Sequence, residues 1–412
     1  PISMVHDVSR ALRWLFTFSL NLTQKTFVIP TRYNCTYKAR DILRALTFLS
    51  LESDYAEGGL KRLTKKLRRV SKPKKRPGKH GKKRSRPPDS DTFLSRLKQI
   101  SRYEANCMLG KLNRQVLAAA KAKGAFRRKA IVAIDLTFIP YNGKKITRYA
   151  VGGKRKKGTS WFHCWATLRI VSPGRRFTIK ARPVKRDQLD AEAMAKIVLE
   201  LLAEAKTCGV HVRFVLLDKG FYNTAVIRAL QTSSYKFLMA AKRNKNEKEA
   251  ILDYFKTGKG QVRPFSFSEG DGEIHFQLSI HRFNKKKSKR VRNILELYGA
   301  FATNLGFKEA VRVWSRLPED YRKRWGIETG YRVDGVFRAK TTSTDERLRF
   351  IYYEYMVFLE NLWTLHNMAE AKRGGFCLDD VKRLSVTAKE FCEDFGYLLV
   401  ATCDRGPPWL TI

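Results

Sequence analysis

Short apolar runs alternate with helical stretches between residues 130 and 240, and their order restricts the possible folds more than any other feature. The runs are rich in β-branched and aromatic residues, which is typical of strands, whereas the long segment between them has helical spacing. Strands are predicted at Ala130–Leu136, Trp161–Val171, Arg176–Val184, Arg213–Leu217 and Tyr235–Ala240, with a helix over Asp187–Thr207.

The order is three strands, a helix, a strand, a helix and a strand, which is the order of the ribonuclease H-like fold. We therefore predict an α/β fold whose ribonuclease H-like domain comprises residues 125–241 and 311–372. The basic, alternating residues 242–310 predict a β-rich insertion, and residues 1–124 predict a helical N-terminal region. Residues 373–412 form a C-terminal segment for which dimerisation is a candidate role.

The charge balance indicates the class of partner. The chain has 83 Lys and Arg against 38 Asp and Glu, a net charge of +45. Such a charge repels itself unless a polyanion neutralises it, so nucleic acid is the expected partner. A membrane partner is disfavoured because no run of about 18–20 apolar residues is present. Seven cysteines without a C-x-x-C pair favour a reducing cytoplasm over a disulfide framework.

Two dense basic runs are candidate DNA contacts. Residues 61–88 predict a flexible basic loop in the N-terminal region, and Asn284–Arg292 (NKKKSKRVR) suggests a hairpin tip within the insertion. The alternative is that both are solvated segments that only keep the protein soluble. The predicted phosphate contacts in these runs are Lys74, Lys75, Arg76, Lys285, Lys286 and Lys287.

Two aspartates follow apolar strands. Asp135 closes the run AIVAID, and Asp218 follows FVLL. At the open end of a sheet a carboxylate is costly to bury alone but is a good ligand for Mg²⁺. Either residue alone is more often a turn or cap aspartate. Together, on a strongly basic chain, they predict a site for divalent cations.

A third carboxylate belongs to a more specific pattern. The segment Tyr321–Lys340 reads YRKRWGIETGYRVDGVFRAK, and on a helix Tyr321, Arg324 and Glu328 share one face, with Arg332 one turn further on. A carboxylate flanked by arginines suits a metal ligand beside cations that grip phosphate. The alternative is a solvated helix with ordinary Arg–Glu pairs, and two glycines weaken the helix itself.

This segment resembles the signature of the DDE transposases of bacterial and archaeal insertion sequences, in the branch named for its Tyr-Arg-Glu-Lys motif. Tyr321, Arg324 and Glu328 match the spacing Y-x(2)-R-x(3)-E-x(6)-K, but Gly335 occupies the position of the lysine. Lys340, Arg338 and Arg332 are candidates to replace it. The segments AIDLTFIPY and LLDKGFYN resemble the first and second catalytic segments of the family.

The resemblance implies a DNA transposase that cuts transposon ends and joins them to target DNA, with a helical DNA-binding N-terminal region. Its Mg²⁺ ions, or Mn²⁺ in their place, would be held by Asp135, Asp218 and Glu328. Tyr321 and Arg324 would grip end phosphates, with Arg332 and Lys340 as further DNA contacts. The β insertion implies cut-and-paste movement through a hairpin. A homodimer that pairs two ends is also expected, in the prokaryotic cytoplasm near the nucleoid.

Two other functions stay open. A domesticated relative would bind DNA without cutting it, which the missing lysine would suit. Another ribonuclease H-like nuclease, such as a junction resolvase or an RNA-cleaving enzyme, would share the carboxylates but not the Tyr-Arg-Glu face.

Asp187 and Asp190 are expected to cap a helix and are reserve candidates for Asp135. Trp325 is expected to pack against the sheet or, alternatively, to stack on a displaced base.

Overall fold

The computed structural model describes residues 8–30, 34–70, 86–144, 146–172, 174–268, 272–283, 293–378 and 385–402. The strands in these residues are β1 Ala130–Pro140, β2 Ala150–Lys156, β3 Thr159–Ile170, β4 Thr178–Pro183, β5 Val212–Leu217, β6 Phe237–Ala240, β7 Val262–Ser268, β8 Glu273–Arg282 and β9 Tyr298–Thr303.

Helices precede, interrupt and follow these strands. They are α1 Arg10–Thr26, α2 Ala39–Leu51, α3 Ala56–Val70, α4 Ser90–Lys98, α5 Arg102–Ala122, α6 Ala191–Thr207, α7 Thr224–Thr232, α8 Lys245–Thr257, α9 Phe307–Val313, α10 Leu317–Arg322, α11 Trp325–Phe337, α12 Glu346–Arg373 and α13 Ala388–Ala401. Among the described helices, none is both long and apolar enough to span a bilayer.

The sheet has the topology expected of a ribonuclease H-like fold. β1 pairs antiparallel with β3 and β3 with β4, while β1 pairs parallel with β5 and β5 with β6. The first half of β1 is buried throughout, as its apolar run predicts for a central strand. The predicted fold class is confirmed.

The region predicted as a β-rich insertion does contain strands, and they extend the same sheet. β9 pairs antiparallel with β6, and β8 and β7 follow outward, giving the order β2-β3-β1-β5-β6-β9-β8-β7. The insertion also begins with α8, which the sequence reading did not include. At the opposite edge β2 was missed, because AVGGKRK has neither an apolar alternation nor β-branched density.

The helical layer is built around α12, whose 28 residues are buried along most of their length. Helices α1, α5 and α11 pack against it. Helix α13 inserts Phe391, Phe395 and Leu399 into the same core, so the described part of the C-terminal segment is bound within its own chain. A role of that segment in dimerisation stays a prediction.

The expected flexible loop over 61–88 is wrong for its first ten residues, which belong to α3. Leu60 and Leu63 are buried and Leu67 packs against the core, so three apolar residues at helical spacing hold this basic segment in a helix. Lys74, Lys75 and Arg76 lie outside the described residues, as do Lys285, Lys286 and Lys287.

Candidate active site

Parallel pairing of β1 and β5 brings two of the predicted carboxylates together. Ile134 and Leu217 are register partners, so Asp135 and Asp218 occupy the next positions on adjacent strands. Asp218 follows β5 as predicted. Asp135 does not end its strand, because β1 continues to Pro140 along β3. Asp135 lies where the parallel neighbour β5 ends, so the β5 side of β1 has no partner among the described strands from this residue onward.

Burial and like charge act on Asp135. Its Oδ1 accepts a hydrogen bond of 2.8 Å from the backbone N–H of Leu136. Burial, and next the charge of Asp218, raise the pKa of Asp135 to about 6, while Arg324 opposes the rise. The two carboxylates therefore repel each other across a partly buried gap, which is the condition that a bound cation relieves.

Arg324 joins the third carboxylate to this pair. Its Nη1 lies 3.3 Å from Asp135 Oδ2, and its Nη2 lies 2.6 Å from Glu328 Oε1. The Glu328 side chain remains 48% exposed in the first turn of α11. Because the guanidinium separates the carboxylates, the described residues contain no ready-made group of three metal-binding side chains.

Tyr321 faces the protein in this structure. Its hydroxyl donates to the carbonyl of Leu217 at 3.1 Å, and its ring lies 4.7 Å from that of Phe301. Burial raises the pKa of Tyr321 to about 12, so the phenol stays protonated. It supports the strand end just before Asp218, and its contact with DNA stays a prediction.

A buried ion-pair network holds α11 against the sheet. Arg169 of β3 lies 2.5 Å from Asp334 of α11 and 2.6 Å from Glu360 of α12, and all three side chains are at most 4% exposed. Thr178 donates a further hydrogen bond of 2.9 Å to Glu360. Sequence reasoning missed this network. The available signal was a charged residue inside the apolar run WATLRIV, which requires a buried partner.

The two glycines that weaken the helix prediction let α11 lie flat on β3. A Cβ on Gly330 would overlap the guanidinium of Arg169, and one on Gly326 would come within 3.3 Å of Val171 Cβ. At Gly335, where the motif lysine is missing, a Cβ would meet nothing within 4 Å. A side chain at position 335 would therefore point into open space. Which residue takes the role of the motif lysine stays a prediction.

The remaining candidates lie on the outer face of α11 and in the connection that follows it. Arg332 and Lys340 are exposed. Trp325 is 60% exposed, so the expectation that it packs against the sheet is wrong. The β2–β3 turn and the end of β2 before it, which sequence reasoning missed, add four consecutive exposed cations. They are Lys154, Arg155, Lys156 and Lys157.

Trp325 stands at a pocket of about 950 Å³ that begins beside Asp218, at Lys219 and Gly220. We call it the Trp325 pocket. Its walls combine cations with aromatic rings, and none of the described residues that line it is a carboxylate. The lining cations are Lys219, Lys242, Arg243 and Arg322, and the rings are Phe283, Phe301, Tyr321 and Trp325. This combination suits both the phosphates and the bases of nucleic acid.

The reserve aspartates stay outside this arrangement. Asp190 caps α6, accepting a hydrogen bond of 2.8 Å from the N–H of Ala193, as predicted. Asp187 is exposed in the short turn before it. No contact among the described residues joins either one to Asp135 or Asp218.

Comparison with known protein families identifies the class of protein to which this sheet belongs. The family model described as the transposase DDE domain matches residues 127–349, more than half of the 412-residue chain. This chain belongs to that family, which confirms the predicted relationship. Asp135, Asp218 and Glu328 all lie within the matched residues.

One solved structure has a similar fold along nearly the whole chain. It is the piggyBac transposase in a synaptic complex with hairpin DNA, determined by cryo-EM. The likeness has a TM-score of 0.55 at 12% identity and covers 98% of this chain and 80% of that one. No curated protein matches the chain significantly.

Proposed function

We propose that this transposase cuts transposon ends and joins them to target DNA by metal-dependent hydrolysis and transesterification, in a cut-and-paste reaction. The observation that supports it most directly is the adjacency of Asp135 and Asp218 at the end of β5, with Glu328 linked to them through Arg324. A structural role alone gives no reason to place like charges at adjacent positions.

The carboxylates fit Mg²⁺ or Mn²⁺. Asp135 and Asp218 supply hard oxygen ligands. The raised pKa of Asp135 reflects its burial and, next, its repulsion by Asp218, and a bound cation would offset both. Glu328, exposed and on a helix start, is able to turn toward them once Arg324 releases it. Such a cation, when bound, stabilises the attacking and leaving oxygens of a phosphodiester.

Arg324 has a second part in this proposal. When Glu328 turns toward Asp135 and Asp218, the guanidinium loses its carboxylate partners and is free for a phosphate of the scissile strand. Arginine suits this exchange because its planar fork binds carboxylate and phosphate alike. The neighbouring Trp325 pocket then receives the nucleotides beside the cut, with a displaced base stacking on the exposed indole.

The proposed partner is double-stranded DNA, held by a homodimer that pairs two ends. The net charge of +45 and the exposed cations of the β2–β3 turn and α3 support DNA binding. The similar piggyBac structure is a synaptic complex with hairpin DNA, which supports pairing of ends and a hairpin route here. With many phosphate contacts, DNA affinity is expected to fall by ~10³ or more from 50 to 200 mM salt.

The first test is cleavage of the element's own terminal DNA with Mg²⁺, comparing native protein with Glu328→Gln. Glu319→Gln is the matched control, since Glu319 is exposed on the preceding helix α10. We expect native protein and the control to cut, and Glu328→Gln to bind DNA without cutting. Equal cutting by all three would make Glu328 structural. Tight binding without cutting by any of them would support the non-cutting DNA-binding relative instead.

A further inference from the structure

We propose that a second pocket, separate from the Trp325 pocket, binds a phosphate group. It has a volume of about 410 Å³ and lies between the end of β1, β3, the α11–α12 connection and α12. We call it the α12 pocket. The residues that carry the proposal are His163, Arg338, Lys340, Arg349, Tyr352 and Tyr353.

Three residues that line the α12 pocket carry buried polar groups that lack partners. The hydroxyls of Tyr352 and Tyr353 and the Nε2 of His163 make no hydrogen bond with any described residue. Their residues are 2%, 1% and 6% exposed, respectively. Buried polar groups without partners destabilise a fold, and a polar occupant of the cavity that these residues line would relieve that cost.

The charge of the α12 pocket selects an anion. Arg338, Lys340 and Arg349 line it, and the part of its lining that the structure describes contains no carboxylate. Arg349 donates to the carbonyl of Ser343 at 2.7 Å, and within the described chain no acid lies at ion-pair distance from it. Burial, and the nearby Arg338, lower the pKa of Arg349. Two guanidiniums that repel each other in a half-buried cavity are satisfied by an anion that accepts several hydrogen bonds, as phosphate does.

The position of the α12 pocket links it to the proposed site. Residues two apart on a strand face the same side, so Ile139 of its wall shares a face of β1 with Asp135. His163 shares a face of β3 with Thr167, the register partner of Asp135. The phosphate is therefore either part of a DNA strand that passes Asp135 or a free phosphate group. The DNA source rests on the proposed function, whereas the anion site does not.

Thermal unfolding with inorganic phosphate, against chloride at equal ionic strength, tests the site itself. We expect phosphate to raise the Tm of the native protein, and Tyr352→Phe and Arg338→Gln to remove that rise. The control is Tyr355→Phe, because the hydroxyl of Tyr355 bonds Thr47 at 2.6 Å, away from the α12 pocket. It should lower the Tm itself and keep the phosphate effect. Because the hydroxyl of Tyr352 has no hydrogen-bond partner among the described residues, Tyr352→Phe should have the same Tm as the native protein in chloride.

DNA binding distinguishes the two sources. If a DNA phosphate occupies the pocket, Arg338→Gln should lower the slope of affinity against salt by about one and weaken binding for every sequence alike. Unchanged DNA binding with a lost phosphate effect would assign the pocket to free phosphate. An equal Tm rise in native protein and both variants, or no rise in the native protein, would overturn the proposal. Failure of the native protein to cut DNA would leave the phosphate result intact.

Discussion

Two arginine-centred networks lie on the same side of the sheet, and they differ mainly in their exposure to solvent. Arg169 holds Asp334 and Glu360 with side chains no more than 4% exposed. Arg324 holds Asp135 and Glu328, with side chains 11%, 15% and 48% exposed, respectively. Both join α11 to a strand, yet only the second can exchange its partners with solvent. The network of Arg169 anchors the helix, and we call it the closed network. The network of Arg324 is positioned to open for a ligand, and we call it the open network.

The largest expected effect is on cleavage, in the open network. Asp135→Asn removes a proposed metal ligand while keeping the side chain's size. A metal contributes several kcal/mol to phosphoryl chemistry, so the cleavage rate should fall by ~10³ or more. Single-turnover cleavage of end DNA measures it. Asp187→Asn is the control, since Asp187 is exposed outside the site. Loss of cleavage in Asp187→Asn with retention in Asp135→Asn would reverse the assignment.

The closed network should affect stability instead. Arg169→Met leaves two buried carboxylates without their cation, which is expected to cost about 3–5 kcal/mol of unfolding free energy. Urea unfolding measures it. Arg114→Met is the matched control, because Arg114 pairs with Glu204 at 2.6 Å while itself 51% exposed. Its cost should be about 1 kcal/mol or less. Equal costs for the two variants would mean that the Arg169 network does not anchor α11.

Two glycines of α11 sharpen the comparison, since one touches the closed network and the other does not. Gly330→Ala would press on the guanidinium of Arg169 and should cost about 1–3 kcal/mol. Gly335→Ala faces open space and should stabilise the helix by up to about 1 kcal/mol. Urea unfolding of both variants measures these opposite signs. A stable Gly330→Ala protein would show that α11 is free to lift from β3.

The sequence predicts those parts of the molecule that depend on local patterns. The apolar runs of β1 and β5 place Asp135 and Asp218, and helical spacing places Arg324 four residues before Glu328. The closed network depends on pairs 165 and 191 residues apart, and no local pattern encodes them. Likewise, Arg324 was predicted to contact phosphate, and its link to Asp135 spans 189 residues.

Exposure is the other property that the sequence does not determine. Trp325 is a large aromatic residue of the kind usually found in a core, yet it lies at the surface. It does so because α11 turns Ile327, and not Trp325, toward the sheet. From the sequence alone, the glycines of α11 are expected to destabilise the helix. In the structure, Gly330 provides the space that the Arg169 side chain needs. In both cases the neighbouring element decides, and it comes from a distant part of the chain.

The last expected effect is the pH dependence of the open network. Because the pKa of Asp135 is raised to about 6 from an ordinary value of 3.8, the native protein holds this proton more tightly than the unfolded chain. The stability that protonation provides is fully present below about pH 4 and is lost as pH rises through about 6. Without metal, Asp135→Asn should therefore gain stability relative to native protein between pH 4 and 7. Urea unfolding of both at each pH cancels the titrating groups that do not interact with Asp135. Added Mg²⁺ should stabilise native protein only above about pH 6, since only the ionised carboxylate binds it. A native-minus-variant difference that does not change with pH would mean that Asp135 ionises normally and that Asp218 does not act on it.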